Sequence, residues 1–482
     1  MINIKPIQRN LQLDVLSPIE LEEIKSGTLR VLNEVGVIFP SERALKIFAD
    51  YGAKVNFETS IVRMKPDLVT GAMDKAPRSY TLSGRVDGTD LHLGDSHTYF
   101  ATDGCGVETI DFETGEQRLS CKDDVAKMAR VADYLSSISF FWPMVSAQDY
   151  GKLAPLHELD ASFNNTVKHV QTETVIGEEM AHYAVKMAEV IAGNPENLII
   201  NPPLSSLICT IAPLGQDREG IEGAMVFAEA GIPVGFMGMP SMGATAPAVP
   251  GGALVVANAE VVSAMVLMQL VAPGAPVFHS ILVSAINPQS AEYIVGLPEK
   301  YLCNAAAVQM AHEWGVPSLA GSFGLESAEP ATWQIGRDSV YTALLCALAG
   351  ADFTIGLGMI KASTLLIPEQ IIFDDEIYHS HRILTQGLNI NQTGLALDII
   401  NQVGPGGHFL AQKHTRSNLR ERWIPRLTNP QSVNGDGPAD IQMRARAELD
   451  RILDEHQPKP LDRTVQNELV SILEAAGSEF IH

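Results

Sequence analysis

A few side chains in this protein combine charge, metal affinity or an aromatic face with a position just past a β-like run. They are Asp103 and Cys105, Trp142, Gln148 and Asp149, Glu173, Met239, His279, and the cluster from Phe323 to Glu329. The segment SFGLESAEPATWQIGRDS is the most unusual: Glu326 and Glu329 lie either side of Ser327, and Trp333 follows. Carboxylates beside aromatic rings suit a trimethylammonium head, which makes no hydrogen bonds and is held by negative charge and ring faces. The plainer reading is a loop carboxylate capping the next helix, with Trp333 in the core. His279 interrupts an apolar run, VFHSILVSAI. A lone histidine there is more often a hydrogen-bonded core residue than a ligand.

Other patterns point away from familiar chemistries. There is no HExxH, no GxSxG and no CxxC, and the five cysteines (Cys105, Cys121, Cys209, Cys303, Cys346) are scattered and odd in number. A disulfide framework or a structural zinc site therefore has no basis here. GPGGHFL at 404–410 lacks the Lys-Ser/Thr of a phosphate loop and the strand–turn–helix setting of a dinucleotide site. His379 and His381 are two apart on a helical stretch and face different ways.

The elements that must position these residues are rhythmic. β-like runs occur at 97–104, 137–147, 168–174, 206–214, 233–240, 276–286, 318–324 and 351–359, with helical stretches between them. Eight strands alternating with helices are the number that closes a parallel (β/α)₈ barrel; an open doubly wound sheet is the alternative. In a barrel the reactive groups sit at the C-terminal strand ends, which is why the residues above are singled out. Residues 1–95 read as an N-terminal extension of helices and β-rich turns, with a cap-like Ser41; 96–360 as the barrel; and 361–482 as a helical region packed on it. Ala253 to Ala272 is long and apolar with one charge, Glu260. Polar Asn258, Ser263 and Gln269 interrupt it, so a buried helix is expected, not a membrane span.

Composition narrows the partners. The formal charge is −23 and the sequence pI about 4.9. A polyanion is a poor partner for nucleic acid or an anionic membrane and a good one for a cationic small molecule. The N-terminal MINIKPIQRN has no secretory pattern, and a cytoplasmic location is expected.

Three long segments carry a resemblance: MPSMGATAPAVPGGALVVANAEVVSAMVLMQLVAPGAPV (239–277), GRDSVYTALLCALAGADFTIGLG (336–358) and GPGGHFLAQKHT (404–415). They resemble the trimethylamine methyltransferase family of corrinoid-dependent enzymes, over about residues 15–460. The resemblance implies a barrel that presents a methylated amine to the cobalt of a separate, cognate corrinoid protein. It implies no tightly bound cofactor or metal in this chain, and a homo-oligomer. The founding members carry pyrrolysine in the region that corresponds here to the Glu326–Glu329 loop, where this chain has ordinary residues. Members without it resemble demethylases of quaternary amines such as glycine betaine, proline betaine, carnitine or γ-butyrobetaine. A quaternary nitrogen already bears its charge, so the amine leaves neutral and needs no general acid.

On this reading Phe100, Trp142, Phe323 and Trp333 supply the rings and Glu326 the anion. His279 is then the donor to a betaine carboxylate. Two rivals remain: a metal-dependent barrel hydrolase with His279, Asp103 and Glu326 as ligands, and a non-catalytic quaternary-amine-binding protein.

Overall fold

Side chains alternate across a β-strand, so each strand of a barrel sends one residue to the lumen and the next to the surrounding helices. The computed structural model describes residues 4–480 except Cys105, Phe112, Val295, 323–328, Glu421 and 429–438. It contains eight parallel strands: β1 (His97–Thr102), β2 (Phe140–Phe141), β3 (His169–Thr172), β4 (Leu204–Ile211), β5 (Val234–Gly238), β6 (Val277–Ile281), β7 (Ser318–Ser322) and β8 (Phe353–Leu357). Each pairs with its successor in the chain, and β8 returns to β1 through Phe353↔Tyr99 and Thr354↔Phe100, so the sheet closes. Seven lie within the runs expected from sequence, and β4 overlaps its run but begins two residues earlier, at Leu204.

A helix follows each strand: α1 (Lys122–Tyr134), α2 (Ala154–Asn165), α3 (Glu178–Ala192), α4 (Arg218–Glu229), α5 (Pro250–Val271), α6 (Pro298–Glu313), α7 (Trp333–Ala349) and α8 (Gln370–Leu384). The eighth helix lies beyond residue 360, so the β/α repeat runs on to Leu384.

The lumen is packed, not hollow, in its lower half. Phe140, Phe278 and Phe353 meet edge to face with ring centroids 5.4 and 5.5 Å apart. A Cβ on Gly235 would fall 1.9 Å from the Phe278 ring, so glycine is required there for the aromatic layer to form. Below this layer the two-stranded ladder Thr81–Leu82/Leu91–His92 inserts Leu82, Leu91 and Leu93 into the same cluster and plugs the N-terminal end.

The helix α5 is buried on nearly every side, packed on β5, β6 and the N-terminal helices Pro18–Glu34 and Glu42–Asp50. Among the described residues it is the one helix long and apolar enough to cross a membrane, but 83% of its apolar window is buried inside the protein. Its single charge, Glu260, accepts hydrogen bonds from Thr210 Oγ1 at 2.6 Å and the Leu214 amide at 2.8 Å, which is how a carboxylate is tolerated there. The N-terminal helices begin at side-chain caps. Ser17 and Glu20 form a capping box, and Ser41 Oγ accepts from the Ala44 amide.

At the other end of the chain, Arg463–Phe480 packs through Leu469, Leu473 and Ala476 into the main core. Three short helices, Gln392–Leu395, Leu397–Val403 and Lys413–Arg420, bury none of their residues. The third resemblance segment, 404–415, lies among them.

The central aromatic layer sets a stability test. Phe353→Ala removes a fully buried ring that two others contact and is expected to cost about 3–5 kcal/mol. Leu388→Ala, on a side chain 88% exposed, should stay within about 0.5 kcal/mol. Melting temperatures of the two variants check the contrast.

Candidate active site

Above the aromatic layer the lumen opens into a cavity of about 190 Å³ at the C-terminal end of the strands. Asp103 sits just past β1, Trp142 just past β2, Glu173 just past β3 and Cys209 within β4. Met237 and Met239 come from β5 and its end, Ser280 and Ile281 from β6, Leu282 from just past it, and Ile355 from β8. Ala362 and Ser363, on the loop after β8, close one side.

Each polar group is held by the local backbone. Thr102 Oγ1 accepts from the Trp142 amide at 2.9 Å and donates to the Trp142 carbonyl at 2.7 Å, fixing the backbone of Trp142 against β1. A Cβ on Gly104 would fall 2.1 Å from the indole nitrogen of Trp142, so this glycine makes room for the ring. Asp103 Oδ1 accepts from the Gly104 amide at 3.0 Å, and the Ser363 hydroxyl donates to Oδ2. Ser363 reaches it from three successive residues in the left-handed region: Lys361, Ala362 and Ser363 have φ of 53°, 51° and 61°. Such backbone costs about 1–2 kcal/mol per residue, and strain of this kind gathers at working sites.

Across the cavity the Cys209 thiol donates to Glu173 Oε1 at 2.8 Å. Burial, with the Glu173 charge beside it, raises the thiol well above its ordinary range and keeps it protonated. Burial also pushes Asp103 up to about 6, and the Glu173 charge adds to the rise. Ser363, the Gly104 amide and more distant Lys300 pull the other way.

Of the six residues expected to hold substrate, Trp142 lines this cavity. Phe100 and His279 do not, and alternation is the reason. Tyr99 and Ala101 point into the lumen, so Phe100 points outward, its ring 4.8 Å from that of Tyr378 on α8. Phe278 points inward, so His279 points toward α5, where its Nε2 meets Asn258 Oδ1 at 2.9 Å. Burial lowers this imidazole to about 3, so it is neutral. Trp333 is the first residue of α7 and is 85% exposed, neither in the core nor in a cage. Phe323 and Glu326 lie outside the described residues.

Asp103 and His279 lie on opposite faces of the barrel wall and cannot share an ion, which removes the ligand set proposed for a hydrolase. Among the described residues no three His, Cys, Asp or Glu side chains converge as metal ligands. Gln148 Nε2 donates to the Val107 carbonyl and to Ser120 Oγ, and Asp149 Oδ1 accepts from the α1 amide of Lys122.

Comparison with known proteins identifies the family. The family model for trimethylamine methyltransferase (MTTB) matches residues 2–476. The chain belongs to the trimethylamine methyltransferase family. Trimethylamine methyltransferase MttB of Desulfitobacterium hafniense (strain DSM 10664 / DCB-2) is 32% identical over 465 residues, 96% of this chain and 93% of the relative. The glycine betaine methyltransferase of Desulfitobacterium hafniense (strain Y51) is 29% identical over 472 residues, 97% of this chain and 98% of the relative. Among solved structures, the Methanosarcina barkeri monomethylamine methyltransferase MtmB aligns at a TM-score of 0.49 and 12% identity, over 91% of this chain and 92% of that one. As a family member the chain is a methyltransferase, of a corrinoid-dependent kind whose corrinoid resides on a separate protein.

The strand-end reading of this methyltransferase reached Asp103, Trp142, Glu173 and Met239. It missed Cys209, Ser280, Ile355 and Ser363. The first three stand within strands on the lumen side, and for Ser280 the alternation from Phe278 was the available signal. Ser363 had none, because it reaches the site through a left-handed loop.

The buried Asp103 carries a pH signature. Its carboxyl rises from 3.8 to about 6 on folding, so the neutral acid's contribution is fully present below the unfolded value and is lost as pH climbs through about 6. Asp103→Asn should therefore raise the melting temperature at pH 8, by the equivalent of about 1–3 kcal/mol, with little gain at pH 4. Thermal melts of both proteins at the two pH values check this.

Proposed function

We propose that this methyltransferase takes a methyl group from a quaternary ammonium compound held in the cavity at the barrel mouth. The observation that carries the reading is the meeting of Trp142 with two carboxylates, Asp103 and Glu173, in a small apolar space. An indole face and negative charge are what bind an ammonium that has no N–H to donate. Met237, Ile281, Leu282 and Ile355 line the rest and exclude water, so the charge interactions act in a medium of low polarizability.

The leaving tertiary amine departs neutral, so no residue has to deliver a proton. The work of the chain is orientation: one methyl must point out of the mouth while the other substituents are held. The residues present fit an acceptor brought from outside. The thiol in the cavity, Cys209, is held protonated and bonded to Glu173, so it is not a nucleophile. Met239, 38% exposed, marks where the cavity meets solvent. A reduced corrinoid on a cognate partner protein supplies the nucleophilic metal when docked there. The ordinary residues at 323–329, where pyrrolysine is expected in the founding members, and the relative named for glycine betaine support a quaternary substrate over trimethylamine.

Methyl transfer to free cob(I)alamin from a panel of quaternary amines tests the reading. Transfer from at least one quaternary amine, and none from trimethylamine, is expected. Demethylation of trimethylamine alone would overturn it, and binding without any transfer would make the chain a carrier. Trp142→Ala should lower kcat/KM by about ten- to thirtyfold, the worth of a desolvated cation–π contact.

A further inference from the structure

The loop after β8 carries one hydroxyl to one buried carboxylate. It is the tip of a hairpin whose arms, Met359–Ile360 and Leu365–Leu366, pair antiparallel. The second arm also pairs with Glu108–Ile110, and Ile360 and Leu365 are buried in a cluster with Ile335 and Ile367. Thr364 Oγ1 donates to the Lys361 carbonyl at 2.6 Å. The amides of Val107 and Glu108 donate to the Thr364 carbonyl at 3.2 and 3.3 Å, and the Lys361 ammonium lies 3.6 Å from Glu108 Oε2. The tip is fastened on both flanks.

Within that frame Lys361, Ala362 and Ser363 all take left-handed backbone, although none of them is glycine. Side chains with a Cβ rarely occupy that region, and three in succession persist only where the surroundings impose it. Glycine would relieve the backbone at each position. What the arrangement delivers is the Ser363 hydroxyl, donated to Asp103 Oδ2, with Ala362 and Ser363 in the cavity wall.

Asp103 is 4% exposed, and burial favours its neutral acid. Ser363 is the strongest influence toward the carboxylate, ahead of the Gly104 amide and of Lys300 on α6, while Glu173 past β3 acts with burial. The Cys209 thiol across the cavity is protonated and adds no charge, and the Lys361 ammonium is turned to Glu108. With the carboxyl already at about 6, loss of its strongest donor would leave much of it neutral near pH 7. A neutral acid offers an ammonium no charge.

We propose that Ser363 is a positioning residue that holds Asp103 as a carboxylate, keeping in the cavity the charge that receives the substrate's ammonium. This rests on the quaternary-ammonium reading above and deepens it.

Melts of the ligand-free chain test the link between the two side chains. Removing a hydrogen bond to a charged group moves a carboxyl by about one pH unit, so Ser363→Ala should raise the folded value from about 6 to about 7. Both values lie above the unfolded 3.8, so the added loss of stability is absent at pH 4 and grows as pH climbs through about 6 to 7. Ser363→Ala should therefore lower the melting temperature more at pH 8.5 than at pH 4. Ser363→Gly relieves the backbone while removing the hydroxyl, and should show the same pH-dependent part. Neither should show it in an Asp103→Asn background. An equal loss at both pH values, or a pH-dependent loss that survives in Asp103→Asn, would overturn the proposal and leave quaternary-amine methyl transfer standing.

Calorimetric titration with tetramethylammonium tests the use of that charge. Ser363→Ala should bind it about fivefold more weakly than the wild type at pH 6, with little difference at pH 8.5. Equal affinity at pH 6 would overturn the proposal. No binding by the wild type at any pH would overturn the quaternary-ammonium reading itself.

Discussion

A closed ring of parallel strands offers each residue two destinations, the lumen or the helical shell, and along a regular strand they alternate. Most of what is specific to this methyltransferase follows from that constraint. On β6, Phe278 joins the aromatic layer, Ser280 faces the cavity, and His279 between them is committed to Asn258 on α5. On β1, Tyr99 and Ala101 face inward and lead up to Asp103, while Phe100 packs on Tyr378. A shift of one residue in register would put the imidazole in the cavity and the carboxylate in the shell.

The lumen divides by height. Its lower part is closed by Phe140, Phe278 and Phe353 and by leucines from the N-terminal ladder, a packing that gives the strands a rigid base. The upper part gives up packing for chemistry, with two carboxylates, a thiol and an indole brought together in a small volume. Asp103 shows the cost: burial works against its charge, and a serine presented from strained backbone partly offsets it. A cation beside a buried carboxylate favours its charged form and so opposes the effect of burial.

Much of the fold was legible in the chain. The eight β-like runs and the helices between them follow from hydrophobic periodicity, which local sequence carries directly. Glu260, Asn258 and Gln269 marked α5 as a core helix, because polar groups at those positions need partners that protein supplies and lipid does not. The site was legible in part. Asp103, Trp142, Glu173 and Met239 follow from the rule that barrel chemistry sits at strand ends. Trp333 misled because its ring type suggested a cage, yet as the first residue of α7 it points to solvent.

Sequence by itself determined the number and order of the barrel strands, the acidic balance, and membership of the family, since these reside in composition, period and long matching segments. Tertiary structure alone decided which face each strand residue occupies, because the phase of an alternation is set by neighbouring strands and not by the strand itself. It alone brought Ser363 to Asp103, some 260 positions apart, and Cys209 to Glu173, 36 apart, because barrel closure makes neighbours of residues that no local pattern connects. The charge of the cavity is likewise a tertiary property: the chain has 34 Lys and Arg residues, and the folded ring leaves them out of the described lining of the site.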